Sequence, residues 1–238
     1  MSISGLYVLL ILGYKPNPAS FYFCEKLVTM KKVLVINSSA RAHHSHSRKL
    51  TEVFIDYWKS THINPIIRFR ELGNTDVPHV NENWIGAAFK PEASRSQADI
   101  EALKISDAYI SELREADVIV LGSPMYNWSI PSSLKAYIDQ VLRVNETFRV
   151  DRTNTQNPYV GLLENKTLFL LLSRGDEGYE KGEYNEHMNF QSPYLKTVFN
   201  VMGISNVHVF TTNGKPSDAE LLKKKLDACM DLVEMELV

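Results

Sequence analysis

Nearly continuous apolar runs alternate with segments of helical periodicity along most of the chain. The apolar runs predict five strands, at residues 33–36, 65–69, 118–121, 167–172 and 207–210. Residues 168–172 are all Leu or Phe, which is typical of a strand buried on both faces. The second run is more polar, as expected of an edge strand.

Between these runs, apolar residues recur at the i, i+3, i+4, i+7 spacing of amphipathic helices. The predicted inward faces are Leu50, Val53, Phe54, Tyr57 and Trp58; Ala102, Ile105, Tyr109 and Leu113; Leu134, Tyr137, Ile138, Val141 and Leu142; and Leu222, Leu226, Cys229, Met230 and Val233. A further helix is predicted at about 191–202, whereas residues 71–93 are predicted to be a long connection. Strands that alternate with helices predict an α/β fold with a doubly wound parallel sheet and helices on both faces.

Composition narrows the class of protein. The chain has 238 residues, of which 44% are hydrophobic and 23% charged, as in an ordinary globular protein. The net charge of −2 and the lack of a long basic run argue against nucleic acid and anionic membranes as partners. The two cysteines, Cys24 and Cys229, form no metal-ligand or disulfide pattern, so we expect a cytoplasmic protein.

The beginning of the chain differs from the rest. The apolar run at residues 5–14 is too short to span a bilayer and lacks the basic flank of a signal peptide. Residues 30–36, Met-Lys-Lys-Val-Leu-Val-Ile, resemble a natural protein start. We therefore expect residues 1–29 to be an extension and residues 30–238 to be one domain; a signal anchor is the alternative for the extension.

Three segments that follow predicted strands have an unusual composition. Residues 37–48 contain four serines and open a helix, so hydroxyls and free helix-terminal amides would suit a phosphate monoester. The alternative is that one serine only caps the helix. His43, His44 and His46 also lie in this segment, but no carboxylate or cysteine accompanies them, so we expect exposed histidines and no metal.

The other two segments add aromatic and polar groups. Residues 122–128, Gly-Ser-Pro-Met-Tyr-Asn-Trp, place a thioether and two aromatic rings where ligands bind in open parallel sheets. They suit a flat aromatic ligand, although an ordinary core turn is the alternative. Residues 173–179 offer a hydroxyl, a guanidinium and amides to the polar edge of a heterocycle, or form only a glycine turn with a surface arginine.

The chemistry that the sequence lacks is also informative. Neither a Walker A loop nor the GxGxxG pattern is present, which disfavours P-loop ATPases and Rossmann dinucleotide binding. No carboxylate pair or Ser-His-Asp arrangement is evident from the spacing. A site with phosphate donors, aromatics and edge donors, but no acid–base machinery, points to a cofactor that performs the chemistry itself.

Together these segments resemble the flavodoxin-like FMN-dependent NADH-azoreductases, which also reduce quinones. The resemblance runs from Lys31 to the end, and several motifs occur in the same order. They are residues 32–39, 45–47, 124–135, 147–149, 173–175, 190–195 and 202–204.

The resemblance implies a flavodoxin-like sheet with strand order 2-1-3-4-5, bound FMN, and NADH as the hydride donor. The implied cofactor-binding residues are Ser39, Ser45, His46 and Ser47 at the phosphate; Pro124, Met125, Tyr126, Asn127 and Trp128 along the isoalloxazine; and Ser173, Arg174, Gly175 and Asp176 at the pyrimidine side. No catalytic side chain is implied, because flavin N5 receives the hydride. The family is homodimeric, with the flavin at the subunit interface, and passes hydride to a quinone or an azo compound after NAD has left.

Two positions depart from the family pattern. Asp176 stands where the family usually has a second glycine, and it brings negative charge toward the flavin. Val150 stands where some members have an aromatic residue, which leaves the preferred substrate open. A flavodoxin-type electron carrier is the alternative function, although carriers usually have a strongly acidic surface. A receiver-type signalling domain would need an acidic cluster after the first strand, where the chain has Asn37-Ser38-Ser39.

Overall fold

The structure is a computed structural model that describes residues 31–214, 219–224 and 226–227. In chain order its elements are β1 (Lys32–Asn37), α1 (His46–Thr61), β2 (Ile66–Glu71), α2 (Glu82–Phe89), α3 (Gln97–Glu115), β3 (Val118–Pro124), α4 (Ser132–Val141), β4 (Phe148–Val150), β5 (Tyr159–Gly161), β6 (Thr167–Arg174), α5 (Ser192–Val201) and β7 (Asn206–Asn213). Residues 219–224 and 226–227 are helical. The expected extension at 1–29, and Cys229, Met230 and Val233 of the predicted last helix, lie outside the described residues.

The main sheet has five parallel strands in the order β2-β1-β3-β6-β7. Since β4 and β5 form a separate antiparallel hairpin, these are the five strands predicted from sequence, and their order confirms the expected flavodoxin-like arrangement. The central strands β1, β3 and β6 are buried on both faces, as their continuous apolar runs predicted.

Alternate residues of each strand enter two different cores. Leu34, Ile119 and Leu170 point to the core that includes α3, α4 and α5. Val35, Val120 and Phe169 point to the opposite core, which includes α1 and Leu222 and Leu226 of the last helical segment. Helices therefore cover both faces of the sheet, as the alternation of elements predicted.

The structure corrects several local predictions. Ile105 was predicted to face inward on α3, but it is exposed, and Leu103, Ser106 and Ile110 are buried instead. The predicted connection at 71–93 contains α2, whose N-cap Asn81 accepts a hydrogen bond from the backbone N–H of Trp84. Together with the apolar positions at Trp84 and Ala87, this cap was the missed helix signal.

Candidate functional site

Parallel strands bring the three unusual segments to one edge of the sheet. In the strand register, Asn37 at the end of β1 lies opposite Gly122, and Pro124 at the end of β3 lies opposite Ser173 of β6. We call the segments that leave this edge the β1 loop (residues 38–45), the β3 loop (residues 125–131) and the β6 loop (residues 175–191). Gly122 to Pro124 lie beyond the predicted strand at 118–121, but they extend β3 because they pair with β6.

The β1 loop delivers serine hydroxyls to the start of α1. Ser45 is the N-cap, and its Oγ accepts from the backbone N–H of Arg48 at 3.4 Å. The Oγ atoms of Ser45 and Ser47 are 3.2 Å apart, and both residues are buried, as is Ser39. Because Ser45 Oγ accepts from Arg48, its own proton is available to Ser47 or to an anion. The backbone amides of the first helical turn, including those of the exposed His46 and of Ser47, have no intrahelical acceptor.

A partly buried ion pair supports the β1 loop. Arg48 donates from Nη1 and Nη2 to the two carboxylate oxygens of Glu71, at 2.6 Å each. The same guanidinium donates to the carbonyl oxygens of Arg41 and Ser39, at 2.8 Å each. Burial by itself would raise the pKa of Glu71, but hydrogen bonds from Arg48 and from the amide of Gly73 outweigh it, and the pKa is lowered. Hydrogen bonds from the charged Arg48–Glu71 pair therefore stabilise the backbone of the β1 loop.

The β3 loop is a tight turn with unusual backbone angles. Tyr126 and Ser129 exchange two backbone hydrogen bonds of 3.0 Å, and the two residues between them, Asn127 and Trp128, have φ of 48° and 64°. Positive φ is common for Asn but costs energy for Trp, so the turn stores strain. The turn presents two aromatic side chains to solvent, because Tyr126 and Trp128 are both exposed.

Backbone hydrogen bonds join the β3 loop to the end of β6 and to the β6 loop. The amide of Met125 donates to the carbonyl oxygen of Ser173 at 2.7 Å, and the amide of Phe190 donates to that of Trp128 at 3.0 Å. Phe190 is 62% exposed, so a third aromatic ring lies near the exposed pair. The family resemblance included Phe190, in residues 190–195, but it did not predict the contact with Trp128. No local pattern could have done so, because the contact joins residues 62 positions apart.

Residues 173–176 have different environments. Ser173 is buried at the end of β6, whereas Gly175 and Asp176 are exposed. Asp176 Oδ1 accepts from the backbone N–H of Glu177 at 2.8 Å. Neither Gly175 nor Asp176 has a positive φ, so the backbone there does not require glycine. Compared with glycine, Asp176 therefore adds a negative charge and this hydrogen bond with Glu177.

Arg174 differs from its predicted placement. The sequence suggested that its guanidinium meets a ligand edge or the surface, but its side chain is 0% exposed. It donates to Gln191 Oε1 at 3.1 Å, to Glu180 Oε1 at 2.6 Å and to Ser192 Oγ at 3.2 Å. β6 turns this side chain toward α5, on the same face as Leu170 and Leu172, and therefore beneath the β6 loop.

The described residues contain neither a candidate metal-binding cluster nor a candidate membrane-spanning helix. Within residues 31–214, 219–224 and 226–227, no group of three or more His, Cys, Asp and Glu side chains is arranged to hold a metal ion. His43, His44 and His46 are all exposed. In that same part of the chain, no helix is both long enough and apolar enough to cross a membrane.

Comparison with known proteins gives consistent matches. The family model for the flavodoxin-like fold matches residues 31–233. A Pseudomonas putida protein named FMN-dependent NADH:quinone oxidoreductase 2 is 41% identical over 195 residues, which are 82% of this chain and 94% of its own. A Nostoc punctiforme protein named FMN-dependent NADH:quinone oxidoreductase is 40% identical over 184 residues, 77% of this chain and 87% of its own. The crystal structure of an azoreductase from Bacillus anthracis superimposes with a TM-score of 0.70 at 28% identity, covering 82% of this chain and 94% of that one.

Proposed function

The chain belongs to the family with the flavodoxin-like fold, and on this basis we propose that it is an FMN-dependent oxidoreductase that uses NADH to reduce quinones. The observation that carries the proposal is the meeting of buried serines at a helix start with exposed aromatic rings, at one edge of a parallel sheet. Ser38 ties the first group to the second, since its amide and its hydroxyl both donate to the carbonyl oxygen of Gly122 at 3.0 Å.

The donors of the β1 loop fit the FMN phosphate. Ser39, Ser45, His46 and Ser47 would hold it through two kinds of donor, serine hydroxyls and first-turn amides of α1. The helix dipole adds about 0.3–1 kcal/mol for a charge at this position. Hydrogen bonds to a charged group contribute about 1.5–3 kcal/mol each, so they would supply most of the free energy of phosphate binding.

The β3 and β6 loops fit the flat ring system. Met125, Tyr126, Asn127 and Trp128 would line the isoalloxazine beyond Pro124, with the aromatic rings also available to a planar substrate. Ser173, Gly175 and Asp176 lie at the adjoining strand end and would meet the pyrimidine side. Arg174 belongs to the same segment, but its guanidinium is buried and donates to Gln191, Glu180 and Ser192.

The residues of this chain bind and orient; when bound, FMN supplies the atom, N5, that accepts hydride from NADH and passes it on. We propose that donor and acceptor use the same cleft in turn, because both are planar and the same rings would stack on each. Aromatic azo compounds are proposed as further acceptors. Their cleavage to two amines consumes four electrons, so it needs two rounds of NADH oxidation.

We further propose that the protein is cytoplasmic and works as a homodimer. The rings at the site are open to solvent in the single chain: Tyr126, Trp128 and Phe190 are 37%, 47% and 62% exposed. A second subunit laid over this edge would exclude water from the reaction, which strengthens hydrogen bonds inside the site. Light scattering on the purified protein would give the mass of a dimer, whereas the mass of one chain would contradict the proposal.

The test of function begins with the visible spectrum of the purified protein and mass analysis of what heat releases. We expect FMN, bleaching of its absorbance by NADH without oxygen, and steady-state NADH oxidation when a quinone is added. Bound FMN without NADH turnover would favour the electron-carrier alternative. A colourless protein that takes up no added FMN would refute the proposed function.

A further inference from the structure

We propose that Arg174 is a positioning residue, which fixes the aromatic β3 loop through a chain of buried polar groups and does not itself contact the flavin. The inference rests on the proposed function, because the loop it positions is the one assigned to the flavin ring. It changes the role that the sequence suggested for this side chain.

The guanidinium joins separate parts of the β6 loop. Glu180, which accepts at 2.6 Å, lies in the middle of the loop, whereas Gln191 and Ser192 lie where the loop enters α5. Arg174 itself ends β6. The planar fork of an arginine can serve acceptors in several directions at once, and a buried arginine left unpaired would be costly. One side chain therefore fastens the middle and the end of the loop to the sheet.

The chain of contacts continues from Gln191 to the β3 loop. Gln191 accepts from Arg174 through Oε1 and donates from Nε2 to the carbonyl oxygen of Ser123 at 3.3 Å. Gln191 is fully buried, so both bonds are shielded from water. Its neighbour Phe190 donates to the carbonyl oxygen of Trp128 at 3.0 Å. Arg174 is thus connected to the backbone on both sides of the segment that carries Met125 and Tyr126.

Asn189 stabilises the same junction. Its Oδ1 accepts from the amides of Gln191 and Ser192, at 3.2 Å each. Its Nδ2 donates to Ser192 Oγ at 2.9 Å and to the carbonyl oxygen of Tyr179 at 3.0 Å. Because Ser192 Oγ also accepts from Arg174, residues 189–192 depend on the guanidinium from two directions. The strained φ of Trp128 is held by this surrounding structure.

The test compares Arg174→Ala, Arg174→Lys and Gln191→Met in the full-length protein. Hydrogen–deuterium exchange of the apoprotein reads the amides of residues 189–192, and titration with FMN reads affinity. We expect Arg174→Ala to speed exchange there and to weaken FMN binding, each on the order of tenfold. Arg174→Lys should lie in between, because donors on one nitrogen cannot span the three acceptors.

Gln191→Met keeps the buried volume but removes the link to Ser123, so it should act in the same direction even where Arg174→Ala does not fold. Arg68→Ala is the matched control: Arg68 is exposed on β2 and pairs with Glu115, away from the three loops. We expect that control to leave both exchange at 189–192 and FMN affinity unchanged.

Two results would overturn the inference. Weaker FMN binding with unchanged exchange in the apoprotein would make Arg174 a direct ligand. Faster exchange with unchanged FMN affinity would make its contacts irrelevant to the flavin. Failure of the proposed function is a separate result, because a wild-type protein that binds no FMN would still show whether Arg174 controls exchange at residues 189–192.

Discussion

Arg48 and Glu71 form a bidentate ion pair, in which Nη1 and Nη2 of the guanidinium each lie 2.6 Å from a different carboxylate oxygen. Arg48 lies in the first turns of α1, and Glu71 ends β2. The pair therefore connects the edge strand to the helix whose first amides we assign to the FMN phosphate. The carbonyl oxygens of Ser39 and Arg41 accept from the same guanidinium, so the course of the β1 loop depends on it.

Replacing this arginine should loosen the phosphate site without emptying it. Arg48→Lys keeps the charge but cannot serve Glu71, Ser39 and Arg41 together. We expect FMN affinity to fall by about tenfold, equivalent to about 1.4 kcal/mol, in a fluorescence titration. Arg68→Lys is the control, because Arg68 makes a single exposed ion pair. Equal FMN affinities of Arg48→Lys and wild type would show that the Arg48–Glu71 pair does not support the phosphate site.

The same pair predicts a pH dependence of stability. Although burial favours the neutral form of Glu71, hydrogen bonds from Arg48 and Gly73 lower its pKa below the ordinary 4.5. A lowered pKa in the folded state means that the contribution is fully present above pH 4.5 and is lost as the pH falls through the folded pKa. In urea unfolding, we expect the stability difference between wild type and Glu71→Gln to be largest near neutral pH and to shrink below pH 4.5.

A substitution on the exposed side of α3 provides the comparison for that experiment. Glu101 pairs with Lys104, and both side chains are largely exposed. Exposed pairs contribute little, so Glu101→Gln should follow the wild-type profile. A difference between wild type and Glu71→Gln that does not change with pH would contradict the prediction.

The left-handed backbone at Trp128 predicts an unusual order of stabilities. Glycine adopts a φ of 64° without a steric cost, whereas alanine pays for its Cβ. We therefore expect the free energy of unfolding of Trp128→Gly, measured in urea, to exceed that of Trp128→Ala by about 1 kcal/mol. Both variants should lose quinone turnover. At Lys104, in the middle of α3, the order should reverse, because glycine is the poorer helix former. Greater stability of the alanine variant at Trp128 would show that the turn is not strained.

Asp176 allows the effect of charge on the flavin to be isolated. Because its φ is not positive, Asp176→Gly relieves no backbone strain, but it removes both the charge and the hydrogen bond from Glu177. Asp176→Asn removes the charge and keeps a side-chain oxygen that can accept this bond. We predict that both variants alter FMN affinity or the rate of flavin reduction by NADH, and in the same direction. Stopped-flow measurement of the reduction rate and titration with FMN would check this. Unchanged values for both quantities would refute it.

Gly161 at the end of β5 touches Gly203, just after α5. A Cβ at Gly161 would overlap the Cα and amide nitrogen of Gly203, which has a φ of 98°. Since backbone atoms cannot move aside cheaply, Gly161→Ala should lower the free energy of unfolding by about 1–3 kcal/mol. Gly86→Ala, in the exposed middle of α2, meets no atom within 4 Å and should be neutral or stabilising. Urea unfolding of the two variants would show the contrast.

The sequence alone determined the main sheet. The run from Leu168 to Leu172 predicted a strand buried on both faces, and the helical spacing of Leu50, Phe54 and Trp58 predicted the face that α1 buries. Both patterns are local and arise from the periods of strand and helix, so they can be read without the fold. Sequence motifs also indicated which loops form the site, because the carboxyl ends of parallel strands lie at a common edge.

Tertiary structure alone decided what the side chains of those loops do. Arg174 and Arg48 are equally plausible surface arginines in the sequence, yet both are committed to contacts with residues far along the chain. Phe190 enters the site through a hydrogen bond to Trp128, and Ile105 faces solvent where its period predicted burial. Such outcomes depend on which distant segments pack together, because a buried polar group takes whichever partner the fold brings within reach.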